Sequence, residues 1–164
     1  DWETANEMPW DVPLLFGGGL SLSAMFTATG LSLWIGEAAK GLAVLPVFLL
    51  IFAIAALVLG LTELTSNTAT AATFLPIMGG VAVGIGLTDA SEMNVLILAI
   101  PVALSATCAF MLPVATPPNA IAYSSGYVTM GEMIKGGIWL NAIALVLIAL
   151  ATYFLAVPVF GLVL

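Results

Sequence analysis

Leu61-Thr62-Glu63-Leu64-Thr65-Ser66-Asn67-Thr68-Ala69-Thr70 is a polar run inside a sequence that is otherwise membrane-grade apolar. It follows LAVLPVFLLIFAIAALVLGL at 42–61 and leads toward Pro76, Gly79, Gly80, Gly84 and Gly86. A second polar break, Ala115-Thr116-Pro117-Pro118-Asn119-Ala120, interrupts the apolar sequence further on. Each puts amides, hydroxyls and unwound backbone at bilayer depth. Lipid tolerates that only where the segment lines a cavity or is buried in protein.

The composition explains why a bilayer is the frame. The 164 residues are 62% hydrophobic and only 7% charged, with mean hydropathy +1.22. A soluble domain carries about 25% charged residues. The chain therefore reads as an all-α integral membrane protein, and at roughly 20 residues per span it has length for about four or five passes. Its formal charge is -7, but Asp1, Glu3, Glu7 and Asp11 crowd the entry segment, where they read as solvated. The only basic residues are Lys40 and Lys135, and there is no histidine. That excludes a nucleic-acid surface, which needs a basic face, and any histidine metal site or catalytic dyad within the chain. Cys108, the single cysteine, cannot form an internal disulfide and reads as a small buried hydrophobe. The acidic start has no cleavable signal pattern. With no initial methionine, the sequence reads as a fragment or an excised domain.

Along the chain, residues 1–11 read as an amphipathic entry with Trp2 and Trp10 suited to a headgroup belt. Residues 12–25 are apolar but contain Gly17-Gly18-Gly19, which permits close approach to a neighbouring helix. Residues 28–41 read as an interfacial or connecting helix, and 42–61 as the clearest span, with Pro46 near its start. Pro76 and the glycines argue against one straight helix over 62–87, and two short helices meeting at a polar tip, a re-entrant hairpin, are expected there. Asp89 or Ser91 can cap the next helix. Residues 93–115 are expected to span, break at Thr116-Pro117-Pro118-Asn119, and resume over 120–128. Residues 129–136 read as a polar turn, and 137–157 as the last span.

Broken helices with polar breaks point to a transporter's binding site. For a small anion, with no arginine present, the charge must be met by helix N-termini, amides, hydroxyls or a bound cation. Ser66, Asn67 and Thr68 supply donors at such an end, while unwound carbonyls and side-chain oxygens suit a hard cation such as sodium. Asn67 can serve both, through its oxygen and its nitrogen. The plainer reading is that these hydroxyls bond their own backbone or hold helices together. Glu63 reads as a first-turn helix acid near the interface in preference to a proton relay. The methionines form no stripe and read as packing.

Ser66-Asn67-Thr68 followed by Ala115-Thr116-Pro117-Pro118-Asn119, with Leu14-Leu15-Phe16-Gly17-Gly18-Gly19-Leu20 ahead of them, resembles the C-terminal half of the divalent anion/sodium symporter family over nearly the whole chain. The resemblance implies one half of an inverted-repeat transporter fold: a re-entrant helical hairpin (62–87), a discontinuous helix (93–128) and a last span (137–157). Residues 1–61 would be scaffold-like and 62–164 transport-domain-like. It further implies secondary active transport of di- or tricarboxylates such as succinate, malate, fumarate or citrate, coupled to sodium by elevator-type alternating access. Substrate would meet Ser66, Asn67, Thr68, Thr116, Pro117 and Asn119. Sodium would meet Thr62, Thr65, Asn67 and Ala115. The chain carries one Ser-Asn-Thr, so an N-terminal half or equivalent repeat is implied as partner, together with a homodimer in a cell membrane, in the manner of a multi-pass prokaryotic inner-membrane protein. No covalent chemistry is implied, so the chain is not expected to be an enzyme. Two other readings stay open: a dicarboxylate exchanger or a transporter of sulfate or another oxyanion, and a membrane scaffold subunit that moves nothing.

Overall fold

Helices make up every regular element among the described residues. The computed structural model describes residues 17–18, 21, 24–25, 28–38, 41, 44–89 and 91–164. The expected entry segment 1–11 lies outside them, and so does most of 12–25. Helix α1 is Leu31–Ala38, within the expected connecting helix. Helix α2, Val47–Thr62, starts immediately after Pro46. The missing N–H and fixed φ of that proline suit a helix boundary. Its buried residues Leu50, Ile51, Ile54, Ala55, Val58, Leu59 and Thr62 follow helical spacing and form a single stripe.

Helix α3, Asn67–Gly84, corrects the expectation of two short helices between 62 and 87. It runs unbroken through Pro76. Helix α3 packs against both α1 and α4, and tertiary packing of this kind can override the loss of one backbone hydrogen bond at a proline. The polar tip is instead the turn between α2 and α3. After Gly86, at φ +80, Ser91 caps a 3-10 turn, Glu92–Val95, by accepting from the Met93 N–H at 3.3 Å. Helix α4, Leu96–Ser105, follows, with Pro101 inside it. The expected span over 93–115 is thus cut short at Ser105.

Helix α5 is Pro117–Ser124, shorter than the expected 120–128 segment at its far end. Helix α6, Met130–Leu150, begins earlier than expected. Residues 129–136 are not a polar turn, because Thr129 and Glu132 form a reciprocal capping box that starts the helix there. Beyond α6 the chain continues as a π-helical turn, Ala151–Ala156, and ends its helical run at Val157–Val159. Of the helices in the described residues, Met130–Val159, with 30 residues, is long and apolar enough to cross a membrane. Val47–Thr62 and Glu92–Ser105 are apolar but shorter.

The core gathers Leu50, Ile51, Ile54 and Val58 of α2, Met78, Val81 and Ala82 of α3, Ile97, Leu98 and Val102 of α4, and Ala149 at the end of α6. An edge-to-face pair, Phe48 and Tyr153 at 5.6 Å, ties the start of α2 to the π turn. Asn94, 1% exposed, donates to the carbonyls of Leu87 (2.8 Å) and Val163 (2.9 Å) and accepts from the Val163 N–H. It clamps the last residues onto the loop before α4. With α2, α4 and α6 in mutual contact, the polar turn after α2 meets the irregular segment after α4.

Candidate functional site

Thr62 closes α2 and is fully buried. Its Oγ1 lies 2.7 Å from Asn67 Oδ1 and 2.9 Å from the Ala106 carbonyl oxygen. A hydroxyl has one proton, so it cannot satisfy both acceptors fully. Two acceptor oxygens thus share one hydroxyl proton, and with Thr62 Oγ1 they make a group of three oxygens, the ligand type that suits a hard cation. Thr65 is otherwise engaged: its hydroxyl donates to the Leu61 carbonyl at 3.0 Å and lies 2.6 Å from Thr70 Oγ1. Ala115 is buried, with its N–H on the Leu112 carbonyl at 3.2 Å.

Ser66 occupies the N-cap of α3 in extended conformation, yet its side chain makes no capping hydrogen bond. The first N–H groups of a helix have no partner within it. At α3 these donors, in the turn that begins with the half-buried Asn67 and Thr68, form the positive end of an 18-residue helix. The second break differs. Thr116 caps α5 by accepting the Asn119 N–H at 3.3 Å. Pro117 and Pro118, both exposed, have no N–H to offer. Both amide hydrogens of Asn119 are engaged, one on the Ala109 carbonyl at 2.9 Å and one on Leu112 at 3.1 Å. An anion therefore finds free backbone donors at the start of α3, whereas the start of α5 offers the Thr116 hydroxyl.

Glu63 holds the two breaks together. The sequence reading made it an interfacial helix acid. In the structure it is the C-cap of α2, 2% exposed. Its Oε1 accepts N–H groups from Phe110 (2.8 Å) and Met111 (3.1 Å), and its Oε2 accepts from Met111 (3.1 Å) and Leu112 (3.1 Å). Asn141 Nδ2 of α6 donates to Oε1 at 2.6 Å. Just beyond α4 the N–H groups of Ala106, Thr107 and Cys108 turn back to the carbonyls of Val102, Leu104 and Ser105, and the carboxylate then holds the irregular segment that follows, Phe110 to Leu112. Gly137, one turn before Asn141, lets the segment in. A Cβ there would stand 2.5 Å from the Phe110 carbonyl oxygen.

The site residues thus fall into two joined sets. Thr62 and Asn67 are in direct contact, as are Thr116 and Asn119. The sets meet through residues 106–112, which touch Thr62, Glu63 and Asn119. The roles of Glu63, Ala106, Gly137 and Asn141 were not read from the sequence. A glycine and an asparagine four residues apart in an apolar helix were the available signal for the last two.

Apolar helices packed around buried polar breaks are the arrangement expected of a membrane protein. The model of the sodium:sulfate symporter transmembrane region matches residues 1–162. The chain belongs to that family. It is 42% identical over 161 residues to the sodium-dependent dicarboxylate transporter SdcS of Staphylococcus saprophyticus, covering 98% of this chain and 30% of that protein. It is 43% identical over 161 residues to the SdcS of Staphylococcus aureus strain MRSA252, with the same coverage of 98% and 30%. The chain spans about 30% of the length of the relatives it matches.

Proposed function

We propose that this chain forms one half of the solute site in a sodium-coupled transporter of small dicarboxylates such as succinate. The observation that carries the reading is the meeting of Thr62 Oγ1, Asn67 Oδ1 and the Ala106 carbonyl beside the uncapped start of α3. Sodium would sit among these oxygens, with Thr65 and Ala115 completing the neighbourhood. The carboxylate would take the N–H groups of α3, with Ser66, Thr68 and the Thr116 hydroxyl. Pro117 and Asn119 would shape the far wall. A bound cation lowers the cost of desolvating the anion next to it, which couples the two. The names of the relatives support sodium and dicarboxylate as the pair.

The remaining parts of the proposal concern the assembly. The polar tip re-enters the bilayer of a cell membrane. A second, inverted half supplies the other side of the site. Residues 62–164 move elevator-fashion against a scaffold that includes part of 1–61, in a homodimer. Helix α2 shares one core with α4 and α6, so it would travel with the site. No covalent step is involved.

Succinate binding to the full-length protein, with and without sodium, tests the reading against Asn67→Ala. Loss of sodium-dependent binding, by tenfold or more for about 1.5–3 kcal/mol per charged hydrogen bond, is expected. Binding indifferent to sodium and to Asn67 counts against the coupled site and favours exchange. The family description favours sulfate as the second reading; sulfate that displaces succinate at lower concentration would support it. A protein that binds neither anion would be a scaffold.

A further inference from the structure

We infer that Glu63 is a positioning residue that fixes both halves of the cation and anion site by anchoring the backbone of Phe110, Met111 and Leu112. The inference rests on the reading above, and goes further by assigning a role to a residue outside the contact set.

Three features carry it. First, the carboxylate is almost fully buried and its partners are dipoles: three successive backbone N–H groups and the Asn141 amide. All of them donate, so the pocket is built for an acceptor-only group. Second, the location is unfavourable for a negative charge. It caps the C-terminal end of α2, where the helix dipole favours cations, and a buried charge is costly compared with a neutral or apolar residue. Departures of this kind from local rules concentrate at functional sites. Third, the anchored segment supplies the groups that the site uses. Ala106 at its start meets Thr62, and the carbonyls of Ala109 and Leu112 hold Asn119, whose own N–H seats Thr116. Releasing 110–112 would let Ala106 leave Thr62 and let the Thr116 hydroxyl turn away.

Cys108 lies within this segment, half-buried, with its thiol on the Leu104 carbonyl at 3.4 Å. It is a built-in reporter. The experiment uses the full-length protein in liposomes, with any cysteine outside these 164 residues replaced by serine so that Cys108 alone reacts, and compares that background with its Glu63→Gln and Asn141→Ala variants. Glu63→Gln is expected to raise the half-saturating sodium concentration and the succinate KM about tenfold or more, as loss of a partner behind a metal ligand does, with saturated turnover little changed. Cys108 is expected to react faster with N-ethylmaleimide, and sodium should protect it less. Asn141→Ala keeps the charge and removes one donor, so the same changes should follow at smaller size. It decides the matter where Glu63→Gln does not fold.

Unchanged sodium half-saturation in a folded variant overturns the positioning role, even if melting falls. Unchanged Cys108 labelling overturns the anchor. A wild-type protein that binds no succinate with sodium sinks the transport reading and the positioning with it, while Cys108 still reports on the anchor alone.

Discussion

A single hydroxyl sits at the centre of the proposed cation site. Thr62 Oγ1 reaches two acceptors with one proton, so replacing it removes an oxygen ligand without opening a cavity. Thr62→Val is therefore expected to weaken sodium activation of succinate uptake about tenfold, the loss of roughly one good hydrogen bond or ligand, while the purified protein melts within a few degrees of wild type. Sodium titration of uptake in liposomes, with melting in detergent, checks both halves. Asn141 shows the same logic from the other side. Its Nδ2 serves Glu63, and its buried Oδ1 has no hydrogen-bond partner. Nothing else in α6 explains an asparagine among Leu140, Ala142 and Ile143.

At the scale of elements, the contact between α6 and the 110–112 segment depends on one missing side chain. Gly137→Ala would bring a Cβ against Phe110 and Met111 backbone at 2.5–2.6 Å. Backbone cannot yield as a side-chain tip can, so a loss of about 1–3 kcal/mol or more is expected. Gly136 is the matched control, with open space around it: Gly136→Ala should be neutral or stabilising by up to about 1 kcal/mol. Thermal melting of the two variants side by side reads the difference. The elements also mark what the sequence can reveal. The polar run at 61–70 and the break at Thr116-Pro117-Pro118-Asn119 were legible, because prolines and clustered polar residues are local signals, whereas the helix expected from Ala120 begins at Pro117 under the Thr116 cap. The Thr129-to-Glu132 capping box was equally local but was read as a turn. Pro76 misled in the other direction, since packing of α3 overrides a local breaker. The path of the chain beyond α4 was not legible at all, because the N–H groups of Phe110, Met111 and Leu112 meet a carboxylate that lies 47 residues upstream of Phe110. Which of the polar residues converge was hidden for the same reason, and the Thr62 to Ala106 contact spans 44 residues.

For the whole molecule, the surface carries the membrane reading. Helix α6 leaves Ile143 at 55% and Leu147 at 59% exposure, and the π turn after it leaves Phe154 at 67%, a face that water would not support on this scale. Lipid or another protein segment must cover it. Leu147→Asp is expected to cost about 2.5–3.5 kcal/mol in membrane insertion, read as reduced integration in a glycosylation-reporter assay, whereas the same change at Met130, at the helix entrance, should be tolerated. The burial of Glu63 has a consequence for how such a protein answers to its medium. Mobile ions screen exposed charges within a Debye length but hardly reach one that is sealed off. The grip of Glu63 on Phe110, Met111 and Leu112 should therefore respond little to ionic strength, so that added choline chloride, at fixed sodium, would leave the frame of the proposed cation site as tight as before.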